Sequence, residues 1–384
     1  MHKWSGLQTD AKKSGISKSL SDQISVLGTL FGHVIREQAG EELFSLVNDF
    51  QNQCIKANKP GVESLYKTVQ RHIRMLPLDK IVWLVRSLTT FFHLINEAER
   101  QEIVCINRDR EKVARPDNPR NESIMEAVYR LKEAGVEYDQ LLKLIEELNV
   151  QPTLTAHPTE ARRRSILYKQ KNISQLLSTL KSDADLPAIE KDRILAHVYH
   201  QIALLITTDD VRTERLTVED EIENGLYFCS TAIWDTVPQI YHDLNDAVET
   251  YYGKRQDLPP FFRYRSWIGG DRDGNPYVTH EVSRNALLEY RRSALELHRK
   301  DLTRLRSELS LSSRRIKIPD ELIKSLKDEE NAVDVCPEDY RRFQHEPYRL
   351  KITCMMHKIN QLIKNPNTTR SEEHTSELQS LLII

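Results

Sequence analysis

Hydrophobic residues recur along most of the chain with the three- and four-residue spacing of amphipathic helices. The spacing is clear in the run Ile24, Leu27, Phe31, Val34 and Ile35. Only 12 glycines occur in 384 residues, which is too few for a fold with frequent tight turns. The pattern therefore predicts a mostly α-helical protein. Further helices are predicted near 84–95, 122–148, 161–181, 188–206, 217–250, 280–308 and 338–364.

Two short segments, 150–160 and 262–279, interrupt the helical pattern. In each, a β-prone run precedes a polar loop that contains Pro or Gly, and a new helix follows. This is the order of strand, functional loop and helix in a (β/α) barrel, where catalytic groups lie just past the strand ends. By this analogy between folds, we expect the two loops to carry any chemistry.

The charge balance narrows the possible partners. The chain has 55 Lys and Arg against 57 Asp and Glu, a net charge of -2, so no broad positive field is present to attract a phosphate backbone. No apolar run approaches the ~18 residues of a membrane span, and the first residues lack the apolar core of a signal peptide. We expect a cytoplasmic protein without a nucleic-acid or membrane partner.

The first loop contains a candidate general base, His157. Pro158 biases His157 toward extended geometry, and the neighbouring Thr155, Thr159 and Glu160 can orient its ring. The alternative is a helix N-terminus at which Thr159 forms the cap and His157 only packs. The residues alone leave both interpretations open.

Three consecutive arginines, 162–164, follow this loop at a predicted helix start. Arginine binds phosphate or carboxylate in a bidentate manner, and a helix N-terminus favours anions. Successive helical residues point about 100° apart, so the three cannot all face one ligand. Arg163 is the candidate for an anion contact, and a solvated run of charges is the alternative.

The second loop is SWIGGDRDGNP at 266–276. Its glycines permit close approach of backbone to a ligand, its charged residues can form a network, and Trp267 can supply an apolar wall. A structural turn is the alternative. A calcium loop fits Asp271 and Asp273, but Pro276 stands where Gly is needed and Val282 where Glu is needed.

Another possibility, a metal-binding helical protein that uses His197 and His200, is disfavoured because no further ligands occur at metal spacing.

The strings LTAHPTE at 154–160 and SWIGGDRDGNP at 266–276, in this order, resemble the two N-terminal signatures of the phosphoenolpyruvate carboxylase family. Supporting similarity runs through TTDDVR at 207–212, IWDTVP at 233–238 and EPYR at 346–349. The resemblance implies a helix-rich (β/α)8 TIM-type barrel of which this chain supplies only the N-terminal part and first strands. It also implies a cytoplasmic homotetramer.

The implied reaction joins phosphoenolpyruvate and bicarbonate into oxaloacetate and phosphate, which replenishes the citric acid cycle. His157 matches the family histidine that takes the proton from carboxyphosphate. Trp267 matches the tryptophan beside the methylene carbon of the substrate. Arg272, Asp273 and Arg163 are expected to help bind the substrate.

The resemblance also implies Mg²⁺ or Mn²⁺, whose ligands are expected beyond this chain, so no metal ligand is assigned here. We therefore expect the 384 residues alone to be inactive. The predicted division is an N-terminal helical region at 1–149, the first part of the barrel at 150–369, and a tail of non-native, adaptor-like sequence at 370–384. The alternative function is a non-catalytic helical interaction module.

Overall fold

The computed structural model describes residues 16–57, 63–155, 163–182, 185–209, 216–332 and 337–365. These residues are mostly helical, which confirms the helical class predicted from the hydrophobic spacing. The elements in chain order are α1 Lys18–Ala57, α2 Glu63–Met75, α3 Leu78–Val113, α4 Ile124–Glu133, α5 Tyr138–Glu147, β1 Thr153–Leu154, α6 Arg164–Ser182, α7 Ala188–Ile206, α8 Val218–Phe228, a π-helical turn Cys229–Ile233, α9 Trp234–Tyr252, β2 Arg265–Ser266, α10 His280–Glu308, α11 Asp320–Ala332, α12 Pro337–Arg342 and α13 Pro347–Lys364.

Two compact units divide the chain. Unit 1 comprises 1–123 and 162–215, and unit 2 comprises 124–161 and 216–384. The two units alternate along the chain, because the segment that holds α6 and α7 lies between the two parts of unit 2. The division at residue 150 stays a prediction about domains, and the tail 370–384 lies outside the described residues.

Unit 1 is a helical assembly whose core is formed by α1, α3, α6 and α7. The predicted stripe of α1 is buried as expected, with Phe31, Val34 and Ile35 fully enclosed. Phe31 stacks on Phe91 of α3 with ring centroids 6.0 Å apart. Helix α1 bends at Gly40, whose φ of 85° and ψ of 169° leave the helical region. Glycine tolerates that backbone without the steric cost that a Cβ would add.

Unit 2 contains α4, α5, both strands and α8–α13, with separate apolar clusters in place of one large core. One cluster joins α8, α10 and the segment that follows β2, through Ile222, Ile268, Val278 and Ala286. This cluster positions the candidate site, because it holds the chain on both sides of the second loop.

Capping residues explain where two helices of unit 2 begin. Thr217 begins α8 with a capping box, since its Oγ1 accepts from the Asp220 N–H at 3.2 Å and its own N–H donates to the Asp220 carboxylate at 3.1 Å. Thr279 caps α10 in the same way by accepting from Val282 N–H at 3.3 Å. The predicted helix 280–308 matches α10, whereas 122–148 and 338–364 are each interrupted by a short turn. In the described ranges, no helix is both long enough and apolar enough to cross a membrane.

Candidate functional site

The two predicted strands pair with each other in parallel. Thr153 lies opposite Arg265 and Leu154 opposite Ser266. The ladder extends past both ends of this short pair, since Arg263 N–H donates to Val150 O at 2.9 Å and Trp267 N–H donates to Leu154 O at 2.8 Å. Parallel pairing brings the carboxyl ends of both strands to one edge. The strand residues that lead into the two loops singled out in the sequence therefore lie side by side.

Alternation along the strands separates the side chains onto two faces. Leu154 packs against the cluster of Ile268 and Ala286, and Ser266 forms a hydrogen bond with Tyr290 of α10. Trp267 is the next residue after Ser266, lies on the opposite face, and is 55% exposed. The indole is thus presented away from the packed face, at the edge where both loops begin.

The backbone of the β2 loop, which we define as residues 267–279, is held by its own hydrogen bonds. The N–H groups of Gly270 and Asp271 both donate to Trp267 O at 2.9 Å. Asp273 N–H donates to Asp271 Oδ1 at 3.1 Å, and Tyr277 N–H donates to Asn275 Oδ1 at 3.1 Å. Such Asx turns are a regular use of Asp and Asn in loops. The loop therefore has a defined path even though its charged side chains face outward.

Ile268 and Val278 anchor the β2 loop at its two ends, since both side chains are buried in the cluster with Ile222. Gly269 completes the anchor. Its φ is 79°, and a Cβ at this position would lie 2.6 Å from the Cβ of Ala286. Only glycine permits both the left-handed backbone and this close approach to α10.

Arg272 and Asp273 are exposed at the outer part of the β2 loop. Among the described residues, neither side chain forms an ion pair. A guanidinium on an ordered loop that also presents an exposed indole can contact an anionic ligand that has an apolar part. The structure thus brings Trp267, Arg272 and Asp273 together on one loop.

The structure says less about the other two predicted site residues, His157 and Arg163. His157 lies outside the described residues, and its role as proton acceptor stays a prediction. Arg163 is half-buried just before α6, where its carbonyl oxygen accepts from the N–H groups of Ile166 and Leu167 at 2.9 and 3.2 Å. The helix start predicted at the arginine run is therefore confirmed, since α6 begins at Arg164, whereas the anion contact of Arg163 stays a prediction.

Groups of side chains that could bind a metal ion are absent from the described ranges. No three His, Cys, Asp or Glu side chains of the described ranges come together in a way that could hold a metal ion. His197 and His200 are exposed on α7. The described part of the chain thus offers no set of ligands for a divalent cation.

Sequence reasoning missed Tyr290. Its hydroxyl donates to Ile268 O at 2.9 Å and lies 3.0 Å from Ser266 Oγ. Burial raises the pKa of Tyr290, and the hydrogen bond with Ser266 offsets this only in part, so the phenol stays protonated and able to donate. A single tyrosine on an amphipathic helix gives no signal of such a contact in one sequence.

Comparison with known proteins gives this site its family. A sequence model described as phosphoenolpyruvate carboxylase matches residues 20–382, which includes both loops. The chain belongs to the phosphoenolpyruvate carboxylase family.

Curated relatives carry the same name. The phosphoenolpyruvate carboxylase of Rhodothermus marinus is 46% identical over 358 residues, which cover 93% of this chain and 38% of that protein. That of Thermus sp. (strain 71) is 35% identical over 332 residues, or 86% of this chain and 36% of its own length. That of Roseiflexus castenholzii is 34% identical over 345 residues, or 89% and 36%. The chain therefore spans between 36% and 38% of the length of these relatives.

Proposed function

We propose that this chain supplies the proton-transfer and enolate-protecting loops of a phosphoenolpyruvate carboxylase. The observation that carries the proposal is the parallel ladder. Trp267 N–H donates to Leu154 O at 2.8 Å, so the chain segments that lead to His157 and to the β2 loop start side by side. The pairing of these two segments supports the proposal that His157 and Trp267 serve the same site.

In the proposed reaction, an oxygen of bicarbonate attacks the phosphorus of phosphoenolpyruvate and the bond from phosphorus to the enol oxygen breaks. The products of this step are carboxyphosphate and the enolate of pyruvate. His157 then takes the proton of carboxyphosphate, the carbon–oxygen bond to phosphate breaks, and CO2 and phosphate form. The methylene carbon of the enolate attacks CO2 to give oxaloacetate. An imidazole with a pKa near neutrality suits this proton transfer.

Trp267 is proposed to cover the methylene carbon of the enolate. Its indole is 55% exposed while its backbone is fixed in the ladder, so it can contact a ligand without first leaving a packed core. An apolar wall at this point excludes water, whose proton would convert the enolate to pyruvate. Because water is excluded, the enolate is carboxylated by CO2 and not protonated to pyruvate.

Arg163 and Arg272 are proposed to bind the substrate anions, and Asp273 is proposed to help shape the binding site. Arg272 and Asp273 share the ordered β2 loop with Trp267, and they have no ionic partner among the described side chains. A guanidinium suits the carboxylate or phosphate of phosphoenolpyruvate, because it can form two parallel hydrogen bonds. Arg163 stands at the start of α6, where the helix terminus also favours an anion.

We also propose the fold, the metal and the oligomeric state of the whole protein. The parallel pair, with the β2 loop and α10 following β2, supports a helix-rich (β/α)8 barrel whose remaining strands are supplied by sequence beyond the matched region. Mg²⁺ or Mn²⁺ is proposed to bind ligands of that remainder, and the whole protein is proposed to be a cytoplasmic homotetramer. Because the chain spans at most 38% of these relatives, the 384 residues alone are expected to form no oxaloacetate.

The test is oxaloacetate formation by a hybrid enzyme. In this hybrid, residues 20–365 of the chain replace the matched region of the Rhodothermus marinus protein. Phosphoenolpyruvate, bicarbonate and magnesium are supplied, and the 384-residue chain and the unmodified relative are assayed beside it. A folded, active hybrid and a silent 384-residue chain support the proposal.

A hybrid that folds, as judged by circular dichroism, but forms no oxaloacetate contradicts the proposal. The helical interaction module would then be the better interpretation. An active 384-residue chain would contradict the expectation that the site needs the remainder of the protein.

A further inference from the structure

Three groups at the beginning of the β2 loop form a closed hydrogen-bond circuit. Ile268 N–H donates to Ser266 Oγ at 3.2 Å, Ser266 Oγ lies 3.0 Å from the Tyr290 hydroxyl, and that hydroxyl lies 2.9 Å from Ile268 O. We call Ser266, Ile268 and Tyr290 the hydroxyl circuit. It connects α10 to the residues on both sides of Trp267, through the side chain of Ser266 and the backbone of Ile268.

The number of hydroxyl protons determines which group donates in each hydrogen bond of the circuit. A phenol has one proton, and Tyr290 uses it to donate to Ile268 O. The contact between the two hydroxyls must then be a donation from Ser266 to Tyr290, which leaves the lone pairs of Ser266 free to accept from Ile268 N–H. Each hydroxyl donates once and accepts once, and hydrogen bonds in such a chain strengthen one another.

The circuit acts on Trp267, the residue that lies between Ser266 and Ile268 in the chain. Ser266 and Ile268 are the neighbours of Trp267 in the chain, and the Trp267 N–H is already held by Leu154 O at 2.8 Å. The ring of Tyr290 is half-buried against the cluster of Ile268 and Ala286, so the phenol cannot turn away freely. The backbone that aims the indole is thus fixed from β1 and from α10.

We infer that Tyr290 is a positioning residue, which sets the orientation of Trp267 through the hydroxyl circuit. Tyr290 contacts no reacting atom in this account, and its effect on the reaction passes through the indole. The effect on catalysis rests on the proposed function, whereas the effect on Trp267 does not. The two can therefore be tested separately.

The first test uses the 384-residue chain labelled with 5-fluorotryptophan. The four tryptophans are Trp4, Trp83, Trp234 and Trp267, and the Trp267 fluorine resonance is assigned with Trp267→Phe. We expect Tyr290→Phe to shift or broaden the Trp267 resonance and to leave those of Trp83 and Trp234 in place. Tyr227→Phe is the matched control, because Tyr227 is also half-buried in unit 2 and its hydroxyl has no hydrogen-bond partner in the part of the chain that the structure describes.

A second variant is available in case Tyr290→Phe destabilises the fold. Ser266→Ala breaks the same circuit from the strand side, and we expect it to change the Trp267 resonance in the same way. The double variant is expected to resemble either single variant, since a circuit is broken only once. An unchanged Trp267 resonance in both folded single variants, or effects that simply add, would overturn the inference.

The second test measures products in the hybrid enzyme. A misplaced indole admits water to the enolate, so Tyr290→Phe is expected to lower oxaloacetate formed per phosphate released by about threefold or more, a change of about 0.65 kcal/mol in the partition. General destabilisation would reduce both products together and leave their ratio unchanged. A normal ratio together with a shifted resonance would retain the positioning role and reject the catalytic one. An inactive hybrid would count against the proposed function, and the resonance test would still decide the circuit.

Discussion

Two regions of unit 2 use charged residues in opposite ways. In the Glu329 cluster, which consists of Glu329, Lys351 and Lys358, the carboxylate is 5% exposed and accepts from the two ammonium groups at 2.7 and 2.9 Å. In the β2 loop, Arg272 and Asp273 are exposed and form no ion pair with any described residue. The cluster joins α11 to α13, whereas the charged side chains of the loop are exposed and accessible to a ligand.

The difference lies in what holds each region in place. The Glu329 cluster is ordered by the charges themselves, so its polar groups are part of the packing. The β2 loop is ordered by buried Ile268 and Val278 and by its backbone hydrogen bonds, so its charged side chains are not needed for its shape. A region whose charges can be removed without loss of structure is a better candidate for function than one whose charges are structural.

Gly269→Ala is one of the two variants with the largest expected effect on stability. The new Cβ would lie 2.6 Å from the Cβ of Ala286, at a φ of 79°. Left-handed strain and overpacking together should lower the free energy of unfolding by about 3 kcal/mol. Chemical denaturation measures this loss. Gly270→Ala is the matched control, since its Cβ would meet only Trp267 O at 3.7 Å. Equal stability of the two variants would contradict the proposed anchor.

The Glu329→Gln variant tests the other side of the comparison. It removes a buried charge and leaves Lys351 and Lys358 without their shared carboxylate. We expect a loss of about 3 kcal/mol, the lower end for breaking a buried ion pair, because both lysines retain some access to water. Glu321→Gln, at an exposed position of α11, is the control and should change stability by less than about 1 kcal/mol. A neutral Glu329→Gln would show that the cluster is not structural.

The Glu329 cluster should also make the free energy of unfolding depend on pH. Burial opposes ionisation of Glu329, but hydrogen bonds from Lys351 and Lys358 outweigh it, so the pKa of Glu329 lies below its ordinary value in the folded protein. A lowered folded pKa stabilises the fold above the unfolded pKa, near 4.5, and this stability is lost as pH falls through the folded pKa. The difference in unfolding free energy between wild type and Glu329→Gln should therefore shrink below about pH 4.5. A difference that grows in acid would contradict this sign.

The smallest effect on stability is expected in the β2 loop. Arg272→Gln and Asp273→Asn should each change the free energy of unfolding by less than about 0.5 kcal/mol, since both side chains are exposed and unpaired within the described ranges. In the hybrid enzyme, each should lower kcat/KM for phosphoenolpyruvate by about tenfold, or about 1.4 kcal/mol of transition-state stabilisation. Arg299→Gln, on the exposed side of α10, is the control. Unchanged kcat/KM in both loop variants would remove them from the site.

Regular patterns in the sequence predicted the helices, because an amphipathic helix must repeat its apolar residues with the period of its backbone. The α10 boundaries follow from Thr279 and the run after it, and the two strands follow from the β-prone runs before each loop. The parallel register of Leu154 with Ser266 could not be predicted, because strand pairing depends on residues far apart in the chain.

The candidate site was only partly predictable. Trp267, Arg272 and Asp273 stand in one short string and were found together, whereas Tyr290 joins them only through the fold. The anchoring role of Gly269 likewise depends on Ala286, 17 positions further along in α10. Residues that position a loop from another element leave no local pattern to recognise.

The most direct test of the account is the ratio of phosphate to oxaloacetate produced by the hybrid enzyme that carries His157→Asn. His157 is proposed to act after the phosphorus–oxygen bond of phosphoenolpyruvate has broken and before CO2 forms. The account therefore predicts continued phosphate release with little oxaloacetate, so that the ratio rises well above the value of about one set by the reaction stoichiometry. If both products fall together and the ratio stays near one, His157 does not perform the assigned proton transfer, and the central claim is wrong.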